Sequence, residues 1–392
     1  MELVQVINKK TERLFFEVAR EIYKNDPYWV CPLDSEIKSI FNPSKNRFFK
    51  NGDAIRWILI NDERKVIGRI AAFYNMNKAK AEKILTGGAG FFECVNDQGS
   101  ANILFDAAGG WLKNRGMQAM DAPVNFGEND TDWGLLVEGF IQPAIGMPYH
   151  LSYYKDLFEN YGFRLYFKQF SYLLDLTKKF PERFWKIAEW ISKKPDFTFQ
   201  HFSWKKATKF IQDVVHIYNT TWSVFKEDFT PLDPEILRET LKKLKPFLDE
   251  EIIWFAYYKN EPISFFIMFP DINQILKEFN GKLHLLNILR LLYYKRTHKI
   301  TRIRAIVAGV VPKFQNSGVE SGIFWHMNEK MKHKTHFKEI ELSWVGDFNP
   351  KMISLYEAVG ATKTKTHHTY RYMLTPTVPF ERYMPEIPSS NN

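Results

Sequence analysis

The stretch IVAGVVPKFQNSGVESG, Ile306 to Gly322, decides the fold of this chain. Its apolar run from Ile306 to Val311 reads as a buried strand. The run stops at Pro312, passes through the polar turn Gln315, Asn316, Ser317 and Gly318, and enters the helix-like IFWHMNEKMK. Strand, tight turn and helix start make a place to hold a phosphate. The first-turn N–H groups of a helix have no intrahelical acceptor, and the helix dipole adds partial positive charge. Glycine at 318 lets the backbone come close to an anion and take a positive φ.

Further on, NPKMISLYEAVGA (Asn349 to Ala361) reads as a helix opened by an asparagine cap and a first-turn proline. The strand IELSWV lies between the two helices. This order, ending in an Asn-led helix with Leu-Tyr-Glu, resembles the acetyl-CoA-binding half of the GNAT acyltransferase superfamily. In that superfamily the turn reads Arg/Gln-x-x-Gly-x-Gly/Ala and cradles the pyrophosphate of CoA. Gln315, Asn316, Ser317, Gly318 and Val319 keep the first half of it, while Glu320 stands where the family has Gly or Ala. A carboxylate beside a diphosphate is unfavourable unless it turns away. The resemblance implies acetyl-CoA or a longer acyl-CoA as co-substrate, held by Gln315 through Ser321. It also implies an oxyanion donor in the backbone near Val310 or Val311. Asn349 would touch the CoA arm, and Tyr356 would be the acid beside the sulfur. Packing alone also accounts for Tyr356, and capping alone for Asn349.

Working outward, the same order of elements occurs twice. In the first half, LVQVIN reads as a strand and Thr11 to Tyr23 as an amphipathic helix. Ile55 to Ile60 and Val66 to Tyr74 pair as a hairpin, Gly90 to Val95 is a strand, Ser100 to Arg115 a helix and Gln118 to Phe126 a strand. Tyr153 to Tyr161 is a helix ended by Gly162, and Arg164 to Leu176 a long aromatic strand. LYEAVGA (355–361) and YKDLFENYGF (154–163) occupy matching positions. The expected fold is α/β (α+β), two GNAT-like mixed-sheet units in tandem over 1–177 and 178–376, then a Pro-rich tail over 377–392. The first unit lacks the phosphate turn, since Gln98-Gly99 is too short to ring a pyrophosphate. CoA therefore belongs to the second unit, and the first is a degenerate copy on the acceptor side.

Bulk properties narrow the partners without choosing among them. Net charge is +9, and aromatic residues are 16% of the chain. A basic surface suits CoA, a phospholipid surface or tRNA. Cys31 and Cys94 make no disulfide framework, and no His, Cys and carboxylate set has metal-ligand spacing, so no metal is expected. The N-terminus lacks the apolar core of a signal peptide and no run is long enough to span a bilayer. The expected location is cytoplasmic, with room for peripheral membrane contact.

Acyl transfer to an amine must first remove a proton, which costs about 4–5 kcal/mol for an ordinary primary amine at neutral pH. The densest polar cluster, NFGENDTDWG, offers Glu128, Asp130 and Asp132 as bases, together with Asn125 and Asn129. Asn, Asp and Gly are also ordinary turn formers, so a solvated loop fits the same residues. His150 is a second base candidate, and Asp271 and Asn273 end a strand facing the same cleft. The insert 275–300, ILKEFNGKLHLLNILRLLYYKRTHKI, combines a broad leucine surface with Lys282, Arg290, Lys295, Arg296 and Lys299. It suits a helix on an anionic membrane or over an acyl chain, and equally a core helix with a basic end.

The whole pattern also resembles the large bacterial two-GNAT proteins, some of which N-acylate long-chain lipid amines as ceramide synthases do. The implied partners are a CoA thioester and an amine acceptor such as a sphingoid base, with nucleic acid disfavoured. The aminoacyl-tRNA-dependent Fem-type transferases share the tandem fold, and a catalytically inactive scaffold fits Glu320.

Overall fold

The computed structural model describes residues 1–128, 131–223 and 231–384. Its centre is one mixed sheet of fourteen strands. The first half supplies β1 (Glu2–Gln5), β2 (Gly52–Ile60), β3 (Val66–Asn75), β4 (Thr86–Cys94), β5 (Ala119–Ala122), β6 (Leu135–Glu138) and β7 (Arg164–Asp175). The second half supplies β8 (Phe197–His201), β9 (Trp254–Tyr258), β10 (Glu261–Pro270), β11 (Arg302–Val310), β12 (Glu339–Glu341), β13 (Val345–Gly346) and β14 (Thr362–Met373).

The strand order is β1-β2-β3-β4-β5-β14-β7-β12-β11-β10-β9-β8, with β6 against β14 and β13 against β7. Read from either end, each half runs through its own strands and then meets the last strand of the other half. Thus β14 pairs antiparallel with β5, β6 and β7, while β7 pairs with β12, β13 and β14. The exchange carries into the cores. Tyr172 and Leu174 of β7 belong to the apolar cluster of the second half. Tyr370 and Leu374, from the C-terminal end of the chain, belong to that of the first. A leucine buried this way contributes ~2 kcal/mol.

Local sequence explains most elements. The helix Lys9–Ile22 starts at a capping box in which Asn8 accepts from Lys10 and Thr11 amides. It buries Phe15, Phe16, Val18 and Ala19, the face that its spacing predicts, and packs on β3. The two matching helices, Tyr154–Tyr161 and Pro350–Ala358, are each followed by a left-handed glycine, Gly162 or Gly360. Each also takes a tyrosine from the exchanged strand: Tyr370 OH donates to Glu159 (2.9 Å) and Tyr172 OH to Glu357 (3.3 Å).

Several elements differ from the sequence reading. The strand expected to run from Gln118 to Phe126 ends at Ala122, because Pro123 follows and has no N–H for a ladder. IELSWV is split into β12 and β13, with Leu342 to Trp344 between them. The helix Glu182–Ser192 opens the second half and packs against the helix Val319–Met331. The described part of the tail lies along β7: Tyr383 N–H donates to Tyr166 O (3.1 Å) and Arg382 pairs with Asp347 (2.6 Å).

Candidate acyl-transfer site

The parallel pair β11/β12 is hydrogen-bonded only at Arg302↔Glu339, Ile303↔Ile340 and Arg304↔Glu341. Beyond that point the chains part. Leu342 N–H donates to Tyr172 O, and Val345 and Gly346 pair with β7. Among the described residues, no backbone hydrogen bond joins 305–310 to 342–346. The result is an open fork. Arg304 sits at its base, its Nη1 donating to Leu342 O at 2.5 Å.

The phosphate turn closes the end of β11. Asn316 (φ 67°) and Gly318 (φ 82°) are both left-handed, which points the following amides outward. Ser317 Oγ accepts from Val319 N–H at 3.4 Å, and Gly322 N–H is the first of the helix to reach a turn carbonyl, that of Gly318. Among the described residues no backbone carbonyl takes the amides of Gly318, Val319, Glu320 or Ser321. These groups fit a diphosphate. Glu320 is half-buried, and burial raises its carboxyl above the ordinary value, while its own backbone N–H pulls the other way. Gln315 Nε2 leans on Val310 O (3.4 Å), and Val311 N–H is taken by Ile263 O (2.9 Å). The amides left for an oxyanion are those on the free edge of β11.

On the far side of the fork, Tyr356 is buried. Its hydroxyl lies 3.1 Å from Ser343 Oγ, and its ring meets Tyr172 at 5.5 Å. Burial raises its phenol above the ordinary value, with Ser343 and the Arg304 charge opposing. It is therefore protonated at neutral pH, as an acid must be. Asn349 caps its helix, Oδ1 accepting from Met352 N–H at 3.2 Å, which leaves its amide nitrogen for a ligand.

The base candidates separate. Glu128 is paired with Arg47 (2.7 Å) and Lys78 (3.4 Å). Asp130 and Asn129 lie outside the described residues. His150 Nδ1 accepts from Leu136 N–H (3.1 Å), and burial, with His367 nearby, lowers its imidazole to about 3. It stays neutral and holds backbone. Asp271 pairs with Arg302 (2.7 Å) and accepts from Ile145 N–H (2.8 Å), and Asn273 donates to Pro143 O (3.2 Å). Both fasten the first half to the second.

Asp132 is different. It is exposed, left-handed at φ 53°, and lines a chamber with Trp133, Met147, Gln169, Ser171, Arg304, Trp344 and His367. Asp132 also acts on Glu36, which sequence reasoning missed. Glu36 keeps solvent contact, yet surrounding protein pushes its carboxyl up to about 7, with the like charge of Asp132 adding to the rise. A carboxyl raised in this way suits base work. No motif in DSEIKSI announces this, because the shift comes from packing. The one sequence signal for Ser343 was its place in IELSWV. Among the described residues, no group of three or more His, Cys, Asp and Glu is placed to hold a metal.

Two units with exchanged last strands, the second of them forked, give this chain the tandem-GNAT fold. The chain superposes on a tandem GNAT protein from the clavulanic acid biosynthesis pathway with a TM-score of 0.55 at 9% identity, covering 96% of this chain and 99% of that one. It is 28% identical over 368 residues to a bacterial ceramide synthase of Caulobacter vibrioides, covering 92% of this chain and 94% of that protein. It is 23% identical over 372 residues to protein YghO of Escherichia coli, covering 93% of each. No family model matches the chain.

Proposed function

We propose that this chain moves an acyl group from a CoA thioester to a primary amine, and that the amine is a long-chain lipid such as a sphingoid base. The observation that carries the reading is the open fork between β11 and β12, bounded at one end by turn amides that no backbone carbonyl takes and at the other by Tyr356.

The residues divide the work as follows. The amides of Gly318 to Ser321 hold the diphosphate, with Glu320 swung aside. Asn349 steadies the arm. A carboxylate of the Glu36/Asp132 pair takes a proton from the ammonium, directly or through water. The amine nitrogen then bonds to the thioester carbon, and the free-edge amides of β11 receive the oxyanion. As the C–S bond breaks, Tyr356 gives its proton to the departing sulfur, and the second proton shed by the nitrogen as it becomes an amide restores the phenol through Ser343, which lies in hydrogen-bond contact.

The lipid acceptor is supported by the named activity of the Caulobacter relative and by the helix Leu285–Arg296. That helix exposes Leu285, Leu286, Leu289 and Tyr293, with Arg290, Lys295 and Arg296 beside them. Such a face suits the surface of an anionic bilayer from which a lipid amine is drawn. Among the described residues no helix is long and apolar enough to cross a membrane.

Calorimetric titration with CoA and with acyl-CoAs of rising chain length tests the reading. Binding that tightens with chain length is expected. Binding of acetyl-CoA alone would point to a small-amine acetyltransferase, and no binding of any of them would remove the proposal.

A further inference from the structure

The helix Glu182–Ser192 carries a stripe that the fold leaves uncovered. Ile187 is 45% exposed and Trp190 is 59% exposed. They lie one helical turn apart, and Arg183 and Lys194 continue the same stripe at either end, at the spacing i, i+4, i+7, i+11. Lys194 Nζ sits 3.4 Å from the centre of the Trp190 ring. The acids of this helix are paired on the spot, Glu182 with Lys186 (2.8 Å) and Glu189 with Lys193 (2.6 Å). Among the described residues, no carboxylate pairs with Arg183, Lys194 or Lys313. The stripe is therefore apolar at its centre and basic at its ends, which is the pattern of a docking face rather than of scattered surface residues.

Its position ties it to the donor side of the site. A Cβ at Gly318 would stand 3.6 Å from Ile187 Cγ2, so the middle of the stripe touches the phosphate turn. Its far end does so too. Phe197 N–H donates to Lys194 O (3.1 Å), and the Phe197 ring meets that of Phe314 at 6.3 Å. Lys313 and Phe314 lead directly into the turn. A partner seated on the stripe thus has its edge where the donor's phosphate is held.

The turn and the stripe select the same kind of partner. Glu320 stands half-buried in the first turn of the helix that follows Gly318. A carboxylate there opposes every negative charge drawn in by the amides of Gly318 to Ser321. CoA brings a diphosphate and a 3′-phosphate to that place. The same pantetheine arm, attached to a serine of a carrier protein, brings a single phosphodiester. An acidic carrier also matches the unpaired Arg183, Lys194 and Lys313, and its surface would cover Ile187 and Trp190. We propose that the stripe docks an acidic carrier protein that bears the acyl group as a thioester on a phosphopantetheine arm, and that this arm enters the fork as an alternative to CoA. The inference rests on the N-acyltransferase reading and adds a donor to it. The chemistry balances as it does for CoA. The ammonium gives one proton to the base, its nitrogen bonds to the thioester carbon and the C–S bond breaks. The arm keeps its sulfur as a thiol with the proton from Tyr356, and the second nitrogen proton restores the phenol.

The test gives the full chain two donors, hexadecanoyl-CoA and a hexadecanoyl-loaded bacterial acyl carrier protein, with sphinganine as acceptor. The carrier is expected to serve as donor. Trp190→Ala should raise its KM ~10-fold and Arg183→Glu about 3-fold or more, with the KM for hexadecanoyl-CoA unchanged in both variants and thermal melts confirming their fold. Turnover with CoA but none with the carrier would overturn the proposal and leave the transferase reading standing. Variants that weaken both donors alike would give the stripe to the nucleotide end of CoA, and a changed mass in solution of the variants alone would give it to a second copy of the chain; either result overturns the proposal. Fluorescence anisotropy of the labelled pantetheine-bearing carrier separates the two claims. Carrier binding that Trp190→Ala weakens, with no turnover of either donor, sinks the transferase reading and keeps the docking face. No carrier binding and no turnover sinks both.

Discussion

The two halves share a plan and differ at the fork. In the first half, β4 and β5 pair at Thr86↔Ala119, Gly87↔Met120 and Gly88↔Asp121, the same three-step ladder as β11 and β12. There the chain then turns back onto β4. Val124 N–H donates to Ala89 O (2.9 Å), and its carbonyl lies so close that a Cβ at Gly90 would meet it at 1.8 Å. In the second half the chain leaves for β7 and the gap stays open. The acid position differs too. Phe158 stands in LFENYG where Tyr356 stands in LYEAVG, and it is sealed among Phe92, Phe105, Phe163 and Tyr370. The first half keeps the architecture and has filled its cleft with backbone and rings. Two halves of one plan thus differ in leaving a fork open or closing it, while each still takes a strand from the other.

That last condition gives the largest expected effect. A chain ending at residue 361 loses β14, which the first half needs between β5 and β7. Neither half should then melt cooperatively. A surviving first-half transition in calorimetry, or a protease-resistant fragment of residues 1–177, would show that the halves stand independently.

Next comes the acid. Tyr356→Phe should lower kcat ~10²-fold with CoA affinity unchanged. Phe158→Tyr should leave kcat unchanged but lower the melting temperature, since its ring is enclosed in the closed half and the added hydroxyl is buried among rings. An undiminished rate in the first variant would take the role from Tyr356.

A smaller effect concerns the turn. The carboxyl of Glu320 is already raised by burial, and a diphosphate beside it raises it further, so CoA binding takes up protons there. Affinity should therefore rise as pH falls from neutral toward the range where Glu320 protonates. Glu320→Gln should bind CoA several-fold more tightly near neutral pH and flatten this part of the pH dependence. Identical pH slopes in the two proteins would show that Glu320 does not compete.

The smallest expected effect also reads out a difference between the halves. A short helix, Met76–Ala81, links β3 to β4, whereas 273–300, with its exposed leucines, links β10 to β11. Leu285→Ser with Leu289→Ser should reduce co-sedimentation with vesicles containing anionic lipid by about 10-fold, at ~1 kcal/mol or somewhat less per side chain. Unchanged co-sedimentation would detach that helix from the membrane.

The strand, turn and helix from Ile306 onward were legible in the sequence because each element is specified locally, by an apolar run, a glycine and a cap. So were the matched helices and their closing glycines. The exchange of β7 and β14 was not, because a strand's pattern fixes its faces and not which strand lies beside it. The open and closed forks look alike for the same reason: Val124 closes one through a contact with Gly90 that no spacing encodes. The chamber draws on residues from both halves, and Arg304 Nε and Ser171 Oγ become notable only once they are buried without a hydrogen-bond partner. Glu128 and His150 read as bases by type, but Arg47, Lys78 and the Leu136 amide claim them.

The central claim is that one of the two forks is built to take CoA. Hydrogen exchange of the backbone amides with and without CoA measures it directly. The account predicts slowed exchange at Gly318 to Gly322 and along the free edge of β11, with no change at Gly90 or at Asp97 to Ser100. Protection in the first half, or none at the 318–322 turn, would contradict it.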